Sequence, residues 1–137
     1  MRIYTKVVAD LFHHGHVALL RAARELGAHL TVCVVPDERV AVLKQHRPIM
    51  RTDERALVVG ACRYVDAVIT DGPRQTTLAF MRAHDFAIYA FGGKDDAELQ
   101  QKRDDCTELP ESMIHRLPYT GGVSTSDILR RVLEERR

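Results

Sequence analysis

The chain has 137 residues, 45% of them hydrophobic and 28% charged, with a formal net charge of +1. That size suits one domain, residues 1–137, able to bury a core without disulfides or metals. The near-zero charge excludes duplex nucleic acid and anionic membrane as bulk electrostatic partners, and no apolar stretch approaches the roughly 20 residues of a membrane helix.

Residues 2–8 read as a first strand. Val17, Leu20, Ala23 and Leu26 recur at helical spacing and predict a helix over 16–27, stopped by Gly27. Residues 29–35 are apolar and rich in β-branched side chains, as a strand buried on both faces should be, and Pro36 and Asp37 end it. A polar stretch follows, carrying Lys44, His46, Arg47 and Pro48. Thr52 is expected to cap a helix running to about Arg63, with Asp53 and Glu54 in its first turn. Residues 65–69 predict a short strand, 74–84 a helix, and 86–91 a strand that Gly92-Gly93 turns. Residues 95–105 suit a helix, a weak strand falls near 112–117, and Ser124 caps a last helix to about Glu135. Alternation of this kind implies an α/β fold with a parallel sheet of about five strands and helices on both faces, whose ligands sit at the carboxyl ends of the strands.

The three cysteines, Cys33, Cys62 and Cys106, form no CxxC and no close pair. An odd, scattered set reads as reduced thiols and points to the cytoplasm, and the N-terminus lacks the apolar core of a secretion signal. Cys33, inside an apolar run, reads as a small buried hydrophobe.

Three constellations carry chemistry. The first is Asp10-Leu11-Phe12-His13-His14-Gly15-His16, at the junction of the first strand and first helix. Helix N-termini at such junctions attract anions; Gly15 lets backbone approach a phosphate, and His13 and His16 supply hydrogen-bond donors for phosphoryl oxygens. The second is Gly121-Gly122-Val123-Ser124-Thr125-Ser126-Asp127, where a glycine turn feeds a capped helix and hydroxyls can bind phosphate. The third is Lys44 with His46, Arg47 and Arg51, a basic loop able to offset charge building on a polyphosphate. Taken singly, the second and third also read as an ordinary helix cap and an exposed basic loop. Together at one sheet edge they describe a triphosphate site. GxGxxG and the phosphate-loop motif GxxxxGK[ST] are both absent.

These segments resemble the cytidylyltransferase family of the HxGH nucleotidyltransferases over nearly the whole chain. Asp10–His16 resembles the family's DLFHxGH, Arg47–Met50 and Asp53–Arg55 its RPVM…EER, Arg63–Ile69 its RYVDEVI, and Gly122–Ile128 its GISTSDI. The resemblance implies a Rossmann-like three-layer α/β/α fold, a homodimer, and CTP as substrate with Mg²⁺. It implies that a small phosphate- or phosphonate-bearing acceptor attacks the α-phosphorus of CTP and that pyrophosphate leaves. Under it, His13, His16 and Lys44 are the expected catalytic residues. Asp10, Gly15, Arg55, Thr120, Gly122, Ser124 and Thr125 are expected at the nucleotide, and no dedicated protein metal site is expected. Three departures stand out: Val7-Val8-Ala9 replaces the family's Gly-x-Phe, Tyr119 replaces an arginine, and Gly92-Gly93-Lys94 replaces an acidic pair near the base. The last motivates an alternative, adenylyl transfer from ATP. Loss of the arginine motivates another, a non-catalytic nucleotide-binding paralogue.

Overall fold

The computed structural model describes residues 1–119 and 124–135. Five strands, β1 (Arg2–Val7), β2 (His29–Val34), β3 (Ala67–Ile69), β4 (Ile88–Gly92) and β5 (Ile114–Leu117), alternate with helices α1 (His14–Arg24), α2 (Asp37–Lys44), α3 (Thr52–Gly60), α4 (Leu78–Ala83), α5 (Asp96–Asp104) and α6 (Thr125–Glu135). All strand pairings are parallel, in the order β3-β2-β1-β4-β5. The expected Rossmann-like α/β/α architecture is therefore observed. The strand order reverses direction between β1 and β4, which puts a crevice outside their carboxyl ends.

Side-chain alternation divides the core between the two sheet faces. Ile3, Leu30, Val32 and Val34 pack with Leu20 and Ala23 of α1 and Val59 of α3. Tyr4, Cys33, Tyr89 and Phe91 face the other way, onto Met81 of α4, Cys106 and Leu109. Cys33 is fully buried, as its surroundings in the sequence suggest.

The β1–β4 ladder opens the crevice. β1 pairs with β2 over six residues, from Arg2↔His29 to Val7↔Val34, but with β4 only at Ile3↔Ile88 and Tyr4↔Tyr89. Beyond that point the Thr5 hydroxyl donates to the Ala90 carbonyl at 2.7 Å and replaces the ladder. The strands part just where the first βα loop begins.

Several boundaries differ from the sequence reading, each for a local reason. α1 starts at His14, so Gly15 and His16 lie in its first turn. The polar stretch after β2 is the helix α2, which buries Val40 alone and therefore shows no apolar periodicity. Thr52 is the first residue of α3 and not its cap: its hydroxyl accepts from the Asp37 N–H at 2.9 Å, and Glu54 instead accepts from the Arg51 N–H. α4 begins only at Leu78, capped by Thr77, because the residues before it pack over the sheet face at Tyr4, Cys33 and Lys6. Gly72 is required there, since a Cβ would fall 2.5 Å from the Tyr4 hydroxyl and 2.8 Å from the Cys33 sulfur.

Candidate active site

The β1–α1 loop is held in a strained form. Ala9 and Leu11 adopt left-handed φ values of 55° and 49°, costly for residues with a Cβ. Between them the buried Asp10 carboxylate accepts from the Ile49 N–H at 2.7 Å and the Met50 N–H at 2.9 Å, which ties the loop to the segment before α3.

His13 and His16 cap α1 with their rings. His13 Nδ1 accepts from the Gly15 N–H, and His16 Nδ1 accepts from the His13 N–H, both at 3.1 Å. A ring nitrogen that accepts carries no proton, so each neutral imidazole bears its hydrogen on Nε2, on the opposite edge. The two rings lie 3.9 Å apart, and Phe12 stacks against His16. Burial first, then His13 and the Lys44 charge, lower the pKa of His16 to about 4 against the opposing pull of Asp10; burial also lowers that of His13. Both rings are therefore neutral donors at physiological pH. The reciprocal caps give these histidines a structural use beside the chemistry expected of them: they satisfy two N–H groups that α1 cannot pair internally.

The last helix reaches the same loop. Thr125 donates to the Asp10 carbonyl at 2.8 Å, and the Ser124 hydroxyl accepts from the Asp127 N–H at 3.1 Å, capping α6. The start of α6 thus meets the β1–α1 loop at Asp10. Lys44, exposed at the end of α2, lies near enough for its charge to act on both His16 and Lys102. Thr120 and Gly122 lie outside the described residues.

Arg55 is placed otherwise than expected. It is fully buried, and every guanidinium N–H is engaged: with the carbonyls of Val8, Val35 and Met50, with Asp37 at 2.7 Å, and with Thr52. No donor remains for a nucleotide. Arg55 instead clamps the carboxyl ends of β1 and β2 to the loop before α3, and so positions the crevice rim.

Lys102 of α5 also reaches the crevice rim, which sequence reasoning missed. Its ammonium donates to the Gly92 carbonyl at the end of β4 and pairs with Glu98 at 3.8 Å; burial first lowers its pKa, Glu98 opposes the shift and Lys44 adds to it. Only the packing of α5 over β4 brings it here; a lysine in a polar helix carries no such signal.

A crevice rim that gathers the start of α6, two neutral imidazole donors and two lysines has the chemistry to hold a polyphosphate. The Cytidylyltransferase-like family matches residues 8–131, and the chain belongs to it. It is 37% identical over 135 residues to the ethanolamine-phosphate cytidylyltransferase of Arabidopsis thaliana, covering 96% of this chain and 32% of that protein. It is 32% identical over 145 residues to the FAD synthase of Pyrococcus abyssi, covering 98% of this chain and 93% of that protein. Among solved structures, a lipopolysaccharide core biosynthesis protein from Thermoplasma volcanium superposes with a TM-score of 0.66 at 26% identity, covering 88% of this chain and 98% of that one. The chain spans about a third of the length of the ethanolamine-phosphate cytidylyltransferases it matches.

Proposed function

We propose that the chain is a nucleotidyltransferase that moves CMP from CTP to a small phosphate- or phosphonate-bearing acceptor. The observation that carries this reading is the docking of the start of α6 on the β1–α1 loop at Asp10, with both imidazole Nε2 edges free of the caps. An acceptor oxygen attacks the α-phosphorus in line, a new P–O bond forms, and the bond to the β-phosphate bridge breaks to release pyrophosphate. The attacking oxygen is already anionic near neutral pH, so no general base is needed. What the protein supplies is position and neutralisation of charge. His13 and His16 donate to the reacting phosphates, Lys44 and Lys102 offset the growing charge, and the Ser124 hydroxyl supplies a further donor. Thr125 and Gly15 hold the loop and the cap in place, while Thr120 and Gly122 are assigned to the nucleotide on the family resemblance alone.

Mg²⁺ suits this site as an ion borne by the nucleotide. The described residues contain no group of three carboxylate, histidine or cysteine ligands, and Asp10, the carboxylate at the loop, already accepts two N–H groups. Magnesium commonly binds through substrate phosphates with one or two protein carboxylates, and here Asp10 is the carboxylate available. When bound, the ion would neutralise phosphate charge. No helix among the described residues is long and apolar enough to cross a membrane. We further propose a homodimer, supported by the exposed Leu57 and Val58 of α3 beside the edge strand β3, and a cytoplasmic location, supported by the three free cysteines.

ATP is the second reading, favoured by the FAD synthase similarity, since FAD is an adenine dinucleotide, and by Gly92-Gly93-Lys94 in place of an acidic pair. Pyrophosphate release measured with CTP and with ATP, against a panel of phosphate and phosphonate acceptors, tests both. Turnover with CTP is expected; turnover with ATP alone would select the second reading, and nucleotide binding without release would leave a non-catalytic paralogue.

A further inference from the structure

A second polar cluster lies on the sheet face that carries Tyr4 and Cys33, opposite the face on which α1 packs. Lys6 of β1 is half-buried over the Tyr89 ring, 5.6 Å from its centre, and donates to the Arg74 carbonyl at 2.8 Å. Arg39 of α2 is also half-buried, and its Nη1 is buried with no hydrogen-bond partner. The Tyr4 hydroxyl lies against the Cys33 thiol and the Thr76 hydroxyl against that of Tyr89, yet neither Tyr4 nor Thr76 closes a hydrogen bond; the two residues are 0% and 1% exposed.

Buried polar groups without partners are uncommon, and an unpaired guanidinium edge is the costliest of these. Among the described residues no carboxylate forms an ion pair with Lys6 or Arg39. Asp105, Cys33 and Cys106 act to raise the Lys6 pKa, and Arg39 acts against them. Burial keeps the Lys6 pKa below the ordinary lysine value, as expected of an ammonium awaiting an anion.

Elements that contribute to the crevice also contribute to this cluster. α2 carries Arg39 near its start and Lys44 at its end; α5 carries Lys102 in its last turn, and Asp105 caps it. β1 carries Lys6 one residue before its carboxyl end and runs into the loop that leads to His13 and His16. The acceptor in the name of the Arabidopsis relative bears an ammonium group. A cation there would meet two like charges, which disfavours it strongly.

Building on the transferase reading, we propose that Lys6 and Arg39 form an anion-selecting subsite, and that the acceptor is a short phosphate or phosphonate carrying a second acidic group, such as a carboxylate. Phosphoglycolate and phosphoethanolamine are matched probes, differing mainly in the charge of the tail. The wild-type protein should give a kcat/KM at least about tenfold higher with phosphoglycolate. Lys6→Met, which keeps the apolar stem over Tyr89, should raise KM for phosphoglycolate by about tenfold or more while shifting KM for the nucleotide less than about twofold. Arg39→Gln should do the same, and Lys6→Asp should reverse the preference. Preference of the wild-type protein for phosphoethanolamine, or equal losses for both acceptors in Lys6→Met, would overturn the subsite while leaving the transferase reading intact. Calorimetric titration with phosphoglycolate reads the subsite without turnover: weaker binding in Lys6→Met supports it, and identical binding sinks it even if no pyrophosphate is ever released.

Discussion

At the scale of single residues, His13 and His16 each do two jobs with opposite edges of one ring. Nδ1 caps α1 and Nε2 points away from the cap. Alanine would remove both contributions at once, so a better probe keeps the cap and drops the far edge. Asn is a strong N-cap and Gln completes a capping box. His13→Asn and His16→Gln should therefore unfold within a few degrees of the parent, while the rate of pyrophosphate release falls on the order of 10²-fold, as for loss of one preorganised donor. Unchanged turnover in His16→Gln would remove that ring from the mechanism. Arg55 makes the opposite case. It was legible as a charged residue in the first turns of α3, but nothing in the spelling Asp53-Glu54-Arg55 says which way a side chain turns. Its direction follows from three carbonyls and Asp37 that only the assembled sheet edge brings together. Arg55→Met should cost about 3–5 kcal/mol in denaturant unfolding, because it strands Asp37 and those carbonyls. Lysine should rescue it poorly, as one ammonium cannot span that fork.

At the scale of elements, legibility tracks how local the signal is. β2 was readable because its residues are apolar on both faces, and α6 because Ser124 announces its start. α2 was not, since only Val40 of its eight residues is buried. The histidine pair was readable as a contiguous motif. Lys102, Lys6 and Arg39 were not: they come from α5, β1 and α2, and no spacing in one segment links them. The RYVD-like segment shows what a motif can hide. Asp66 accepts from the Leu30 N–H and from Arg24, each at 2.8 Å, so it stitches β3 to β2 and to the end of α1. Asp66→Ala should lower stability by about 1–3 kcal/mol and leave kcat near the parent value, since the loss is an unpaired backbone donor at the sheet edge. A fall in kcat at unchanged melting temperature would contradict that assignment.

At the scale of the whole molecule, several groups make the fold sensitive to acid in the same direction. His16 is held at about 4 against an ordinary 6.5, chiefly by burial, so the native state takes up its proton later than the unfolded chain does. Its contribution to stability is complete above 6.5 and is lost as the pH falls towards 4. Asp66 is held below the usual carboxylate range first by the Leu30 N–H; for Asp37, burial pushes upward but the hydrogen bonds from Arg55 and Thr52 prevail. These two contributions are present above the ordinary carboxylate pKa and disappear as the pH drops through their lowered values. Urea midpoints should thus decline from about pH 6.5 downward, and His16→Gln should flatten the upper part of that decline. A profile level down to pH 4 would count against the burial of that ring. The bond from Thr125 to the Asp10 carbonyl joins positions 115 residues apart. During synthesis the first strand and its histidines leave the ribosome long before their partner helix, and until that helix docks the loop lacks one of its two walls.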